Sequence, residues 1–206
     1  EKKIKYISNC VEINNESRIN YEESIVCCIG NLRKNKNHSF FINIMKDVIE
    51  EVPFAKGWII GQPVDDEPNV QIELRNEIRN HKLEKKVSLL GFQSDIIKLL
   101  KKCSVLVMPS KSEGMPNVVL EAMSIGIPVV SSNVGGLSQL IYHGKNGLLC
   151  DIKNKNEFVD SIKLLLTQIP LNKKLGANGK KFTMARHCPI ITVNRFNTFY
   201  RNLLGI

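Results

Sequence analysis

The chain has 206 residues, of which 43% are hydrophobic and 24% are charged, and its formal net charge is +9. This length suffices for one domain with a sizeable core, and the composition excludes a disordered tail, a coiled coil and a collagen-like repeat. No stretch approaches the roughly 20 apolar residues of a membrane-spanning helix, and the first residues lack the apolar core of a signal peptide. These features predict a soluble globular protein.

The positive charge is concentrated in the second half of the chain. Residues 1–100 hold 15 Lys/Arg and 15 Asp/Glu, whereas residues 101–206 hold 14 and 5. Such an excess favours a polyanionic partner, an anionic membrane face or a phosphorylated ligand, and a solvated basic surface is an equally good interpretation. No recognition helix or row of stacking aromatic residues is visible, so we predict no nucleic-acid partner.

Short apolar runs alternate with helical patterns along the chain, which is typical of a parallel sheet covered on both faces. The predicted strands span residues 4–7, 25–29, 58–60, 87–90, 105–108, 128–131 and 148–150. Helices are predicted over 41–49 and 158–169, with shorter ones near 74–81, after 94–95 and over 118–123. The order predicts one doubly wound, Rossmann-like α/β domain over residues 1–206, with an amphipathic terminal helix at about 190–206.

The loop after the second predicted strand is rich in cations. Gly30 permits a sharp exit from the strand, and Arg33, Lys34 and Lys36 precede the next helix. Ligands of an open α/β sheet lie outside the carboxyl ends of its strands, and a helix N-terminus favours anions there. The loop is therefore a candidate phosphate site, with a solvated basic turn as the alternative. It lacks the P-loop pattern.

A second candidate loop spans residues 109–117, after the predicted strand 105–108. Gly114 allows close backbone approach, and an anion is within reach of the amides of Gly114, Met115, Asn117 and Val118. Glu113 lies in the loop, and Glu121 follows about one turn into the next helix, where a carboxylate can accept both hydroxyls of a ribose. Taken alone, Glu113 also fits a capping box with Ser110, and Glu121 also fits an exposed helix position.

The spacing of these two carboxylates carries the most specific signal. Glu113 and Glu121 enclose seven residues, and this E-x7-E pattern resembles that of the retaining glycosyltransferases of the GT-B fold, the large group 1 or family 4 class. The similarity covers nearly the whole chain, and its most specific part is 107–149. Further matches in the family's order are Gly30, 36–38, Gly61, 90–92, Asp95, 107–110, 122–130, 135–136 and 146–149.

The resemblance implies a role for each matching residue. Glu121 would hold the ribose of a nucleotide sugar, Glu113 would act as the catalytic residue near the donor sugar, and Lys36 would bind phosphate. The loop amides named above would bind the sugar hydroxyls and the diphosphate. Asn31 stands where the family usually has Arg after the glycine, so either Arg33 replaces it or the diphosphate is held less firmly. Phe92 is a candidate for flanking the nucleobase.

The implied enzyme transfers a sugar from a nucleoside diphosphate donor to a glycan or lipid-linked acceptor, with retention of the anomeric configuration. A UDP-sugar is favoured over a GDP-sugar as the donor. The implied process is bacterial cell-surface polysaccharide synthesis. It needs no cofactor or metal, and the acidic run 65–67 is interpreted as a solvated turn. The chain would be one half of a GT-B two-domain architecture. A missing N-terminal domain would carry the acceptor site, and the isolated fragment would be inactive.

Two further expectations concern location and the alternative function. The six cysteines form no CxxC pair and are interpreted as reduced core residues, which predicts a cytoplasmic protein. The basic excess of residues 151–206 predicts a surface for peripheral contact at the inner face of the membrane or for the missing domain. A non-catalytic nucleotide-binding or regulatory module of GT-B type is the alternative to an enzyme.

Overall fold

The computed structural model describes residues 7–13 and 24–205. Six strands alternate with helices. The strands are β1 (Ile25–Ile29), β2 (Lys56–Ile60), β3 (Val87–Gly91), β4 (Val105–Met108), β5 (Val129–Ser132) and β6 (Leu148–Cys150). The helices are α1 (His38–Glu51), α2 (Val70–Asn80), α3 (Ile96–Leu100), α4 (Asn117–Ser124), α5 (Leu137–Leu140), α6 (Lys155–Thr167), α7 (Ile169–Arg186) and α8 (Pro189–Leu204).

All six strands are parallel and form one sheet with the order β3-β2-β1-β4-β5-β6. Strands β2 and β3 lie on one side of β1, and β4, β5 and β6 lie on the other. The chain therefore reverses its direction of winding after β3, and the two halves of the sheet meet between β1 and β4. Val26 pairs with Val105 at this reversal. In an open α/β sheet the crevice at such a switch point is the usual ligand site. The doubly wound, Rossmann-like prediction is therefore confirmed.

The strands β1, β4 and β5 are buried on both faces, which explains their short, continuous apolar runs. Every residue of β1 is buried. Cys27 and Cys28 point to opposite faces and belong to different hydrophobic clusters, one packed with α1 and α6 and the other with α4. The sheet thus forms a rigid platform from which the strand-end loops project.

The predicted strands from 25 onward are confirmed to within two residues at each end. Of the predicted strand 4–7, residues 4–6 lie outside the described residues, and Ile7 lies in no strand. The terminal helix predicted at about 190–206 is α8, which is described as far as Leu204. No described helix is long and apolar enough to cross a membrane.

Helix α7 was not predicted, because small residues interrupt its apolar pattern. A Cβ added at Gly176 would lie 2.0 Å from the carbonyl oxygen of Gly126. The glycine therefore lets α7 pack closely against the turn that follows α4. A side chain at this position would push the two elements apart.

Candidate functional site

The two candidate loops meet at the carboxyl edge of the sheet, because β1 and β4 are neighbours. The backbone amide of Lys111 donates to the carbonyl of Asn35 at 2.8 Å. Asn37 adopts a left-handed conformation with φ of 61° and donates from its side chain to the carbonyl of Pro109 at 3.1 Å. Asn tolerates this conformation better than most residues. The loops are thus fixed to one another directly before α1 begins.

An ion pair joins the two loops at their centre. The Nζ of Lys36 lies 2.6 Å from Oε1 of Glu113, and the hydroxyl of Ser110 donates to the same oxygen at 2.7 Å. The Glu113 side chain is only 7% exposed, whereas that of Lys36 is 21% exposed. Helix α4 begins only at Asn117, so the Ser110–Glu113 contact is not a capping box of that helix. The carboxylate is held in place within the site instead.

A third loop supports this arrangement from the carboxyl end of β5. The amide of Gly136 donates to the carbonyl of Glu113 at 3.1 Å. A Cβ at Gly135 would lie 2.1 Å from the backbone carbonyl oxygen of Glu113, and a Cβ at Gly136 would lie 1.7 Å from the backbone carbonyl oxygen of Gly114. Only glycine fits at these two positions, which lie directly behind the loop that contains Glu113.

Glu121 lies one turn into α4, beyond the loop that contains Glu113. Its side chain is half-buried, and burial raises the pKa of its carboxyl group. Among the described residues this carboxylate has no hydrogen-bond partner. A partly desolvated acceptor without a partner is suited to a ligand that donates hydrogen bonds, and the exposed helix position considered above is not what the structure contains.

Arg33 does not join the ion pair at the centre of the site. Its guanidinium lies 3.3 Å from Asp66, and both side chains are largely exposed. The neighbouring amide of Lys34 donates to Glu67 at 2.8 Å. The acidic run 65–67 is therefore more than the solvated turn that the sequence suggested, because it holds the basic loop. Nothing in the sequence spacing indicated this pairing.

Phe92 lies apart from the central ion pair. It follows β3, which is separated from β1 by β2, and its side chain is 67% exposed. Gly91 before it has a φ of +69°, which turns the chain outward. Phe92 is thus available at the same edge of the sheet, two strands away from Lys36.

A buried histidine supports the basic loop from below. The Sγ of Cys28 lies 3.3 Å from Nδ1 of His38, whose Nε2 lies 3.2 Å from the carbonyl of Asn31. Burial raises the pKa of the thiol and lowers that of the imidazole. The thiol therefore donates to Nδ1, and neutral His38 donates from Nε2 to Asn31, which fixes the residue after Gly30.

A contact from residues 7–13 to this site was not predicted. The side-chain amide of Asn9 donates to the carbonyl of Met115 at 3.0 Å and to the side-chain oxygen of Asn117 at 2.9 Å. Both acceptors belong to the segment whose amides were predicted to bind a ligand. The described residues contain no group of three or more His, Cys, Asp or Glu that is placed to hold a metal ion.

Residues 11–182 match the family model described as glycosyl transferases group 1. The chain belongs to this family. A group 1 relative from Escherichia coli, a UDP-Gal:alpha-D-GlcNAc-diphosphoundecaprenol alpha-1,3-galactosyltransferase, is 30% identical over 84% of the chain and 42% of its own length. A Bacillus anthracis relative, N-acetyl-alpha-D-glucosaminyl L-malate synthase, is 24% identical over 99% of the chain and 52% of its own length.

A solved structure shares the fold. A Staphylococcus aureus TarM variant, crystallised with Fondaparinux, alpha-GlcNAc-glycerol and UDP, superposes with a TM-score of 0.86 at 25% identity. The superposition covers 94% of this chain and 38% of TarM. This group 1 chain therefore spans about half the length, or less, of these relatives.

Proposed function

We propose that this chain is the donor-binding domain of a retaining, metal-independent glycosyltransferase that uses a nucleoside diphosphate sugar. The observation that carries the proposal is the Lys36–Glu113 pair, 2.6 Å apart, at the switch point of the sheet. The ammonium group of Lys36 contacts the loop that leads into the N-terminus of α4. Such a combination favours a phosphorylated ligand.

The proposed chemistry places negative charge on the leaving diphosphate while the donor sugar becomes oxocarbenium-like. Lys36 and the amides of Gly114, Met115, Asn117 and Val118 stabilise the leaving diphosphate, since preorganised donors aimed at developing charge lower the barrier. Glu113 lies beside Lys36 and faces the donor sugar. Glu121, whose carboxylate is half-buried without a described partner, accepts the ribose hydroxyls.

UDP is the proposed nucleotide, and a glycan or lipid-linked sugar is the proposed acceptor. The E. coli relative is named for UDP-Gal and a diphosphoundecaprenol-linked sugar, and the TarM variant was crystallised with UDP. The acceptor site belongs to a second domain, in keeping with the length of these relatives.

We also propose that the protein is cytoplasmic with peripheral membrane contact, that it acts in cell-surface polysaccharide synthesis, and that the chain alone is inactive.

Calorimetric titration of the 206-residue chain with UDP, GDP and ADP tests the site. Selective binding of UDP is expected, and Glu121→Ala should abolish most of it by removing the ribose acceptor. Glu50→Ala, on the exposed face of α1, is the matched control and should bind as the unmodified chain does. A folded chain that binds none of the three nucleotides would overturn the site.

An assay of sugar transfer distinguishes an enzyme from a nucleotide-binding module. The chain is fused to an upstream acceptor domain from a group 1 relative, and transfer from UDP-sugar is followed by product mass and anomeric configuration. Transfer with retention, unaffected by a chelator, is expected. Nucleotide binding without transfer by the natural full-length protein would favour the non-catalytic alternative.

A further inference from the structure

The segment 8–11 lies between the proposed donor loop and the corner where α7 meets α8. On one side Asn9 donates to Met115 and Asn117, as described above. These residues flank Pro116, the residue before α4. Because proline has no amide hydrogen, its own backbone cannot fix the start of the helix through a donated bond. The two bonds from Asn9 hold that turn from outside.

On its other side the segment is held by three further hydrogen bonds. The ring Nδ1 of His187 donates to the carbonyl of Asn9 at 3.0 Å, and the amide of Val11 donates to the carbonyl of His187 at 2.9 Å. The guanidinium of Arg195, on α8, donates to the hydroxyl of Ser8 at 3.1 Å. His187 is 5% exposed, and burial lowers the pKa of its imidazole, which remains neutral at pH 7.

We propose that Asn9 is a positioning residue for the donor loop, and that the α7–α8 corner sets its place through His187. The inference rests on the proposed function of residues 113–121. Asn9 does not contact the nucleotide. It keeps the 115–117 turn in the conformation in which the amides at the start of α4 face the diphosphate, so its loss lowers the fraction of binding-competent chain.

The test compares UDP affinity in matched variants of the 206-residue chain. Asn9→Ala should weaken the affinity for UDP about three- to tenfold, which is the effect expected for two hydrogen bonds that order a loop. Asn9→Asp keeps the shape but replaces the donor with an acceptor facing two acceptors, so it should bind at least as weakly as Asn9→Ala. Thermal unfolding of both variants should stay close to that of the unmodified chain, because Asn9 is exposed.

Asn178→Ala is the matched control, because Asn178 also makes an exposed hydrogen bond from its side chain to a backbone carbonyl, that of Lys145, at 2.8 Å. It should leave UDP affinity unchanged. A second comparison uses His187→Ala, which should weaken UDP binding. The double variant with Asn9→Ala should bind UDP no more weakly than the weaker-binding single variant. Additive losses would overturn the relay through His187.

The outcomes separate this inference from the function on which it rests. If UDP binds and Glu121→Ala abolishes binding, the proposed nucleotide site stands. If Asn9→Ala then binds UDP as tightly as Asn178→Ala does, the positioning role is wrong. If Asn9→Asp binds as well as the unmodified chain, the donated hydrogen bonds have no effect on the loop, and the inference falls.

Discussion

Removing the Lys36 ammonium should destabilise the chain by leaving Glu113 buried without a counter-charge. We consider Lys36→Met, which keeps most of the side-chain stem. Breaking a buried ion pair by deleting one partner costs about 3–5 kcal/mol. Lys36 is 21% exposed and lies at an open edge of the sheet, so water recovers part of that penalty. We expect a loss of about 2–3 kcal/mol in the free energy of unfolding.

For a domain of this size, each kcal/mol shifts Tm by about 2–4 °C. Lys36→Met should therefore lower Tm by about 4–12 °C in a thermal unfolding experiment. Adding Glu113→Gln removes the uncompensated charge, while its amide oxygen still accepts from Ser110. The double variant should recover at least half of the lost stability.

The pair formed by Lys155 and Asp47 provides the control. Its atoms are 2.5 Å apart, but the side chains are 39% and 28% exposed. Such pairs contribute about 0–1 kcal/mol, so Lys155→Met should change Tm by no more than about 4 °C. If Lys36→Met costs no more than this control, or if Glu113→Gln fails to recover stability, the carboxylate is solvated and the reasoning is refuted.

Three further predictions follow from the loops around the site. Gly136→Ala should abolish UDP binding, because the added Cβ would lie 1.7 Å from the backbone carbonyl oxygen of Gly114. Gly114→Ala should barely change the Tm of the ligand-free chain, because a Cβ at position 114 meets open space. Asp66→Asn should tighten UDP binding about two- to fivefold at low salt by releasing Arg33 for the diphosphate, and an unchanged affinity would assign Arg33 to the surface. Burial lowers the pKa of His38, so the stability that the neutral imidazole contributes is present above about pH 6.5 and is lost as the pH falls. The decline in Tm between pH 7 and pH 5 should therefore be smaller in His38→Gln than in the unmodified chain. An equal decline in the two proteins would contradict this.

Strands β1 to β6 were predictable because they are short apolar runs, several of them β-branched and most of them bounded by Gly, Pro or Ser. The same reasoning failed for α7, where Pro170, Gly176 and Gly179 make the sequence look broken. Proline is tolerated in the first turn, and both glycines face neighbouring elements rather than solvent. Close helix packing thus outweighed intrinsic propensity, and only the three-dimensional neighbours of these residues reveal it.

The candidate site could be proposed from the sequence only where its residues are close together in the chain. Glu113 and Glu121 belong to one loop and one helix, so their spacing identifies them. The partner of Glu113 is Lys36, which comes from another strand-end loop, and that pairing depends on β1 and β4 lying side by side. Asn9 lies outside every helix and strand, and a single amide with no periodic neighbours gives no signal at all.

If the chain binds a nucleotide as proposed, the reversal of winding next to β1 makes that binding a measure of completed folding. The side chains of Lys36 and Glu113 stand 77 positions apart in the chain, and their contact depends on β4 lying beside β1. A growing chain that has formed only β1, β2 and β3 already contains the basic loop but lacks the carboxylates and the amides of α4. A ligand that binds only the finished fold stabilises it by about 2.7 kcal/mol at one hundred times its Kd. UDP would therefore favour the final step of sheet assembly, in which the two halves of the sheet become one.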